Sequence, residues 1–310
     1  MKFERLSDHI CKLGESPFWW ATHGELLYVD VHAGEICSWS SKSGTRRRRI
    51  TDRVTFIMPT ADDGFVLGLR HGIGTLPVFD APLEGDIQPS IEVEADWPTT
   101  SVNDARADHK GRLWFGTLER SKREPVCGLY RWTPAGGLSR KIDGVALSNG
   151  IQWSPDGRIM YFVDSQTQRL DAFEYDMATG EAGHRWTVAE IALEEGMPDG
   201  INVDADGLIY VALYGGGKIH RYRPEGRLER VFKVPVRYPS SLTFGGDDLR
   251  TLYVTSSSVG HHGSGGEKPQ GMSDLDGAVL VAELDAAGTP SIAAAARSDQ
   301  IQDQIPKQRK

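Results

Sequence analysis

The chain has 310 residues, 39% of them hydrophobic, and its 35 Lys and Arg stand against 43 Asp and Glu for a net charge of −8. No eighteen-residue apolar run occurs, which argues against a membrane span, and the acidic balance would repel a phosphate backbone, which argues against a nucleic-acid partner. Three cysteines, Cys11, Cys37 and Cys127, show no redox or zinc spacing, and residues 1–12 lack an apolar secretory core. The expectation is a cytoplasmic protein with reduced thiols, a monomer or a homodimer.

Along the chain one phrase recurs: a turn containing Gly, an apolar strand, then a second strand ending in an aromatic. Its copies run over residues 24–39, 64–79, 111–132, 156–175, 206–222 and 248–282. The clearest are Asp156-Gly157-Arg158-Ile159-Met160-Tyr161-Phe162-Val163 and Asp206-Gly207-Leu208-Ile209-Tyr210-Val211. The turn residues Gly24, Gly64, Gly111, Gly157, Gly207 and Asp248 are spaced by 40, 47, 46, 50 and 41 residues, the period of a four-stranded propeller blade. The fold predicted is therefore all-β, a six-bladed β-propeller with four antiparallel strands per blade. Residues 1–285 form one domain, and the N-terminal strand closes the ring by joining the last repeat, so that no sheet edge stays open. The basic run Arg46-Arg47-Arg48-Arg49 reads as a solvated strand. Trp19, Trp20, Trp39 and Trp132 read as packing between blades, and His71 as strand-end structure. His261-His262, set among glycines, reads as a mobile loop in preference to a metal pair. Residues 286–310, rich in Ala, Gln and charge, are expected to be a flexible tail.

In a propeller the innermost strand of each blade lies along the central channel. Counting eight residues back from the turns gives Asn103, Asn149, Asp199 and Ser240, and nine back from Gly24 gives Glu15, while blade two offers only Phe56. Asn149-Gly150 and Asp199-Gly200 could each be a hairpin dipeptide. Each, however, opens an apolar strand, and better hairpin turns, Pro155-Asp156-Gly157 and Ala205-Asp206-Gly207, follow. Two carboxylates and several amide or hydroxyl oxygens, with no His or Cys, make a hard oxygen set suited to Ca²⁺, Mg²⁺ or Mn²⁺, with Zn²⁺ compatible with the carboxylates.

At these residues the sequence resembles the regucalcin (senescence marker protein)/gluconolactonase family of metal-dependent sugar lactonases. The resembling stretches are Leu13-Gly14-Glu15-Ser16-Pro17, Val102-Asn103-Asp104 with Gly111-Arg112-Leu113-Trp114-Phe115-Gly116-Thr117, Leu147-Ser148-Asn149-Gly150 with Trp153-Ser154-Pro155-Asp156-Gly157, and Met197-Pro198-Asp199-Gly200. The resemblance implies a six-bladed propeller holding a divalent cation (Ca²⁺, Mg²⁺, Mn²⁺, Zn²⁺ or Fe²⁺) on Glu15, Asn149 and Asp199, with Asn103 near both metal and substrate. It implies a small-molecule sugar lactone as substrate, and Glu119 as a candidate for a substrate hydroxyl. Several members carry an Arg where this chain has Ser101. From that departure a roomier, less cationic pocket wall and a neutral pentose- or hexose-derived lactone are expected, with Ser101 and Tyr214 bordering the pocket.

The chemistry expected is lactone hydrolysis by metal-activated water, with Asp199 as the catalytic group that orients or deprotonates the water. No nucleophile-elbow pentapeptide supports a covalent route. Two other readings keep the fold: phosphotriester hydrolysis at the same axial metal, and a ligand-binding propeller without chemistry. Against the second, a scaffold has no reason to aim Glu15 and Asp199 at one point without a cation between them.

Overall fold

The computed structural model describes residues 1–83, 85–121, 124–260 and 272–302. Among these, twenty-four strands make six four-stranded antiparallel sheets, arranged as a six-bladed propeller. The inner strands of blades one to six are Gly14–Trp20, Val54–Pro59, Thr100–Ala107, Ser148–Trp153, Met197–Val203 and Pro239–Gly245. The N-terminal strand Glu4–Ile10 pairs with Ala278–Glu283 and so supplies the outer strand of blade six, closing the ring as the repeat arithmetic predicts.

The turn glycines do what their spacing implies. Gly24, Gly111, Gly157 and Gly207 sit at positive φ, between 61° and 83°, where a side chain is disfavoured. In blade two Asp63, beside Gly64, takes the left-handed conformation, and in blade six Leu249 takes it beside Asp248.

Apolar faces of neighbouring blades pack on each other, and the tryptophans stand at those seams. Trp19 stacks on Tyr253, joining blade one to blade six, Trp20 meets Phe65 of blade two edge-on, and Trp132 is fully buried with the cluster of blades one to three. The Arg46–Arg49 run lies on the outermost strand of blade one, Gly44–Arg49, where Arg46 pairs with Glu25 and Arg47 with Glu35. The three cysteines are buried free thiols.

Residues 286–302 are not the flexible tail expected from composition. Gly288 bridges Asp204 and Ala294 bridges Thr60, Ala295 N–H donates to Gly111 O, and Ala61 N–H donates to Ala296 O. The segment ends in a short helix, Ser298–Gln302, whose first residue donates to Asp62 through both backbone and side chain, and whose Ile301 is buried in the core. Its apolar content is small but concentrated at Ala294, Ala296 and Ile301, all buried, and its backbone donors and acceptors are used by the blade ends. It crosses the end of the channel at which the inner strands terminate, so the channel opens at their starts. The remaining tail and His261-His262 lie outside the described residues.

Candidate metal centre

Every inner strand slips register near its start. The shifts fall between Glu15 and Phe18, Val54 and Phe56, Val102 and Ala105, Ser148 and Ile151, Pro198 and Ile201, and Pro239 and Leu242. A bulge frees a residue from the ladder and re-aims its side chain. The counted positions coincide with these bulges, so Glu15, Asn103, Asn149 and Asp199 come to line one cavity of about 290 Å³ at the open end of the channel. Ser16, following Glu15, is a non-glycine residue at φ 51°, and this strained backbone is part of the turn that delivers the Glu15 carboxylate.

The dipeptides Asn149-Gly150 and Asp199-Gly200 lie inside strands, not in hairpins. Their glycines answer to close approach: a Cβ on Gly150 would stand 2.7 Å from the Asp199 carbonyl, and one on Gly200 would run into Ser241. The blades can therefore converge on the axis only where these residues have no side chain.

Two buried carboxylates pin the chain just before two of the site residues. Asp30 accepts from the backbone N–H groups of Lys12 and Leu13, ahead of Glu15, and Asp164 accepts from those of Ala146 and Leu147, ahead of Asn149. Asn149 is fixed further by its own amide: Nδ2 donates to Ser165 Oγ at 2.7 Å, while Oδ1 accepts from Asn103 Nδ2 at 2.7 Å. Asn103 Nδ2 also donates to Ser148 O at 2.8 Å. The donor edge of Asn149 is thus spent on Ser165 and its oxygen is turned toward the Asn103 side of the cavity.

The electrostatics favour a cation. Burial, then the charges of Asp199 and Asp104, push the Glu15 carboxyl well above its usual range. Asp104 has Arg106 as its countercharge within the channel wall. Burial raises the Tyr214 hydroxyl, and Asp199 and Glu15 add to the rise, while that hydroxyl donates to Gly260 O at 2.8 Å. Oxygen donors from Glu15, Asn149 and Asp199 around one cavity, with like charges that a divalent ion would offset, fit a hard cation.

Not every counted residue reaches the cavity. Ser240 is fully buried and its hydroxyl donates to Gly14 O at 2.5 Å, tying blade six to blade one. Phe56 belongs to the core. Glu119 does not line the cavity: it is buried, and its Oε1 accepts from Ser121 N–H and Oγ at 3.0 and 2.5 Å. Ser101 is also buried behind the wall, its hydroxyl donating to Val102 O and accepting from Arg53 Nε at 3.2 Å. Arg53, from the segment entering the blade-two inner strand, lines the cavity, as do Arg120, His32, Leu13, Leu118, Leu147 and Met197. The expectation of a less cationic wall is therefore overturned, because guanidinium groups absent from position 101 enter from elsewhere. Arg53 lies forty-eight residues from Ser101 in sequence and meets it in space through this hydrogen bond.

Residues 13–258 match the model of the SMP-30/Gluconolactonase/LRE-like region. Regucalcin of Danio rerio is 34% identical over 253 residues, covering 80% of this chain and 84% of its own. Among solved structures, a luciferin-regenerating enzyme superposes with a TM-score of 0.86 at 26% identity, covering 95% of this chain and 99% of its own. A calcium-binding regucalcin from Agrobacterium tumefaciens superposes at 0.82 with 23% identity, covering 94% and 97%. The chain belongs to the SMP-30/gluconolactonase/LRE-like family.

Proposed function

We propose, from that membership and from the oxygen-lined cavity, that the protein is a metal-dependent hydrolase that opens a sugar lactone to its sugar acid. The observation that carries this reading is the convergence of Glu15, Asn149 and Asp199 from three blades on one cavity, each delivered by a bulge. These three residues would hold the cation. When bound, a divalent ion supplies positive charge for the oxygen on which negative charge develops and lowers the pKa of water. Asp199 orients the attacking water and takes its proton. Asn103, with its amide nitrogen shared between Ser148 O and Asn149 Oδ1, keeps its carbonyl oxygen for a substrate hydroxyl. Leu13, Leu118, Leu147 and Met197 give the cavity apolar walls that thin the water around the reacting carbonyl. The cavity suits a ligand of sugar size.

The test is to strip metal with a chelator, add back Ca²⁺, Mg²⁺, Mn²⁺, Fe²⁺ and Zn²⁺ singly, and follow acid release from a panel of pentono- and hexono-lactones by pH-stat. Opening above the spontaneous rate is expected only with cation present. Rates that no cation raises, or full activity in protein shown to be metal-free, would overturn the reading.

A further inference from the structure

The cavity has two unlike sides. Glu15 and Asp199 give it an acidic side, and Arg53 and Arg120 give it a basic one. Arg53 uses only Nε in the hydrogen bonds of the described residues, donating to Ser101 Oγ. Arg120 uses Nε and Nη2, donating to the carbonyls of Thr99 and Pro98 at 3.3 and 2.7 Å. Among the described residues neither is ion-paired, whereas the neighbouring Arg70 is paired with Asp52.

The two guanidiniums and Arg70 are close enough to disfavour one another's charge. The Arg53 pKa falls to about 10, through burial first and then through the charges of Arg70 and Arg120, and that of Arg120 falls through burial and Arg70. Asp52, the carboxylate ion-paired at this wall, is engaged by Arg70, and Glu15 and Glu119 act on Arg53 and Arg120 only through space, so an anion seated between the two guanidiniums would relieve their mutual repulsion. A guanidinium with both Nη groups free is shaped to take a carboxylate or phosphate through two parallel hydrogen bonds. The buried hydroxyl of Ser101 fixes the Arg53 fork, since it accepts from Nε and turns the Nη groups away from itself. A neutral substrate offers these donors hydroxyl oxygens alone, without the charge assistance that a carboxylate or phosphate gives.

Building on the lactonase reading, we infer that the substrate is a sugar lactone carrying an anionic substituent remote from the ring ester, gripped by Arg53 and Arg120 while the acidic side serves the ester. A lactone of a dicarboxylic sugar acid and a phosphorylated sugar lactone share this chemistry. This replaces the neutral lactone expected from Ser101.

The experiment compares D-glucono-1,5-lactone, which is neutral, with D-glucaro-1,4-lactone and 6-phospho-D-glucono-1,5-lactone, on metal-loaded wild type and on Arg53→Ala, Arg53→Lys and Ser101→Ala. In wild type at least one anionic lactone is opened with a kcat/KM about tenfold or more above that of the neutral one, and the better of the two names the source of the anion. Loss of a charge-assisted pair in Arg53→Ala lowers kcat/KM for that lactone by about thirtyfold, mainly through KM, and lowers it for the neutral lactone by a factor about tenfold smaller. Arg53→Lys keeps the charge without the fork and recovers part of the loss, and Ser101→Ala, with the guanidinium unanchored, loses about threefold. In parallel, calorimetry on Ca²⁺-loaded protein compares glucarate with gluconate, which differ by one carboxylate, and needs no turnover. Tighter binding of glucarate that Arg53→Ala abolishes supports the anion site even if no lactone is opened, in which case the lactonase reading alone falls. Opening of the neutral lactone as fast as the better of the two anionic ones, or equal losses for all three in Arg53→Ala, overturns the inference and leaves the lactonase reading standing.

Discussion

At the open end of the channel each inner strand slips register and several turn a polar side chain inward, whereas at the far end the same six strands run in regular register under residues 286–302. The open end holds like charges close together and a strained residue, Ser16. The far end satisfies its backbone groups and buries Ala294, Ala296 and Ile301. One set of strands thus serves two purposes: regular pairing supplies stability at one end, and local irregularity at the other is tolerated because that stability is already in place.

The sharpest way to break this contrast is at Asp199. Replacement by Ala removes a charge from the proposed cation site and the proposed base together, and lactone opening should fall by about 10³-fold or more while the fold is retained. Asp199→Asn keeps the shape without the charge. Should it retain full activity in a pH-stat assay, Asp199 would be a ligand and not a base.

Gly150→Ala probes the close approach of blades four and five. Its new Cβ would meet the Asp199 carbonyl, so activity should fall about ten- to a hundredfold, with a stability loss of about 1–3 kcal/mol read by denaturant titration. A turn glycine would behave differently, because its replacement would disturb a hairpin without displacing Asp199.

Removing residues 286–310 attacks the opposite end. Loss of the buried side chains and of the backbone bonds to the blade ends should lower stability by several kcal/mol, about 2 kcal/mol of it recoverable as Ile301→Ala in the full chain. Cation affinity should change less than about threefold, since the site is built at the other end of the strands.

The smallest effect is one of pH. The folded-state pKa of Glu15 lies above its ordinary value of 4.5, so the folded protein holds a proton there that the unfolded chain releases. Its contribution to stability is therefore full below the ordinary value and is lost as pH rises through the raised one. Metal-free protein should melt a few degrees lower toward neutral pH than near pH 5, and saturating cation or Glu15→Gln should flatten that slope. A metal-free Tm that climbs over the same range would contradict the account of a buried carboxyl crowded by Asp199 and Asp104.

The blades, the ring closure and the four polar positions that line the cavity could be read in the sequence because the blades repeat: a turn residue fixes the phase, and eight or nine residues upstream lies the bulge. What does not repeat was hidden. Arg53 and His32 come from segments outside the repeated register, and Ser240 holds the register but spends its hydroxyl on Gly14. The docking of residues 286–302 rests on three small or isolated apolar residues and on backbone bonds, neither of which composition reveals. Glu119 lies one residue from the wall, and strand alternation turns it away while Leu118 and Arg120 face the cavity.

The claim on which the rest depends is that Glu15, Asn149 and Asp199 hold one cation. Anomalous diffraction from crystals grown with Mn²⁺ tests it most directly. The account predicts a single strong peak in the cavity, roughly 2.0–2.6 Å from an oxygen of each of the three residues, and its disappearance in Asp199→Ala. A peak elsewhere, or none in the cavity at saturating Mn²⁺, would contradict it.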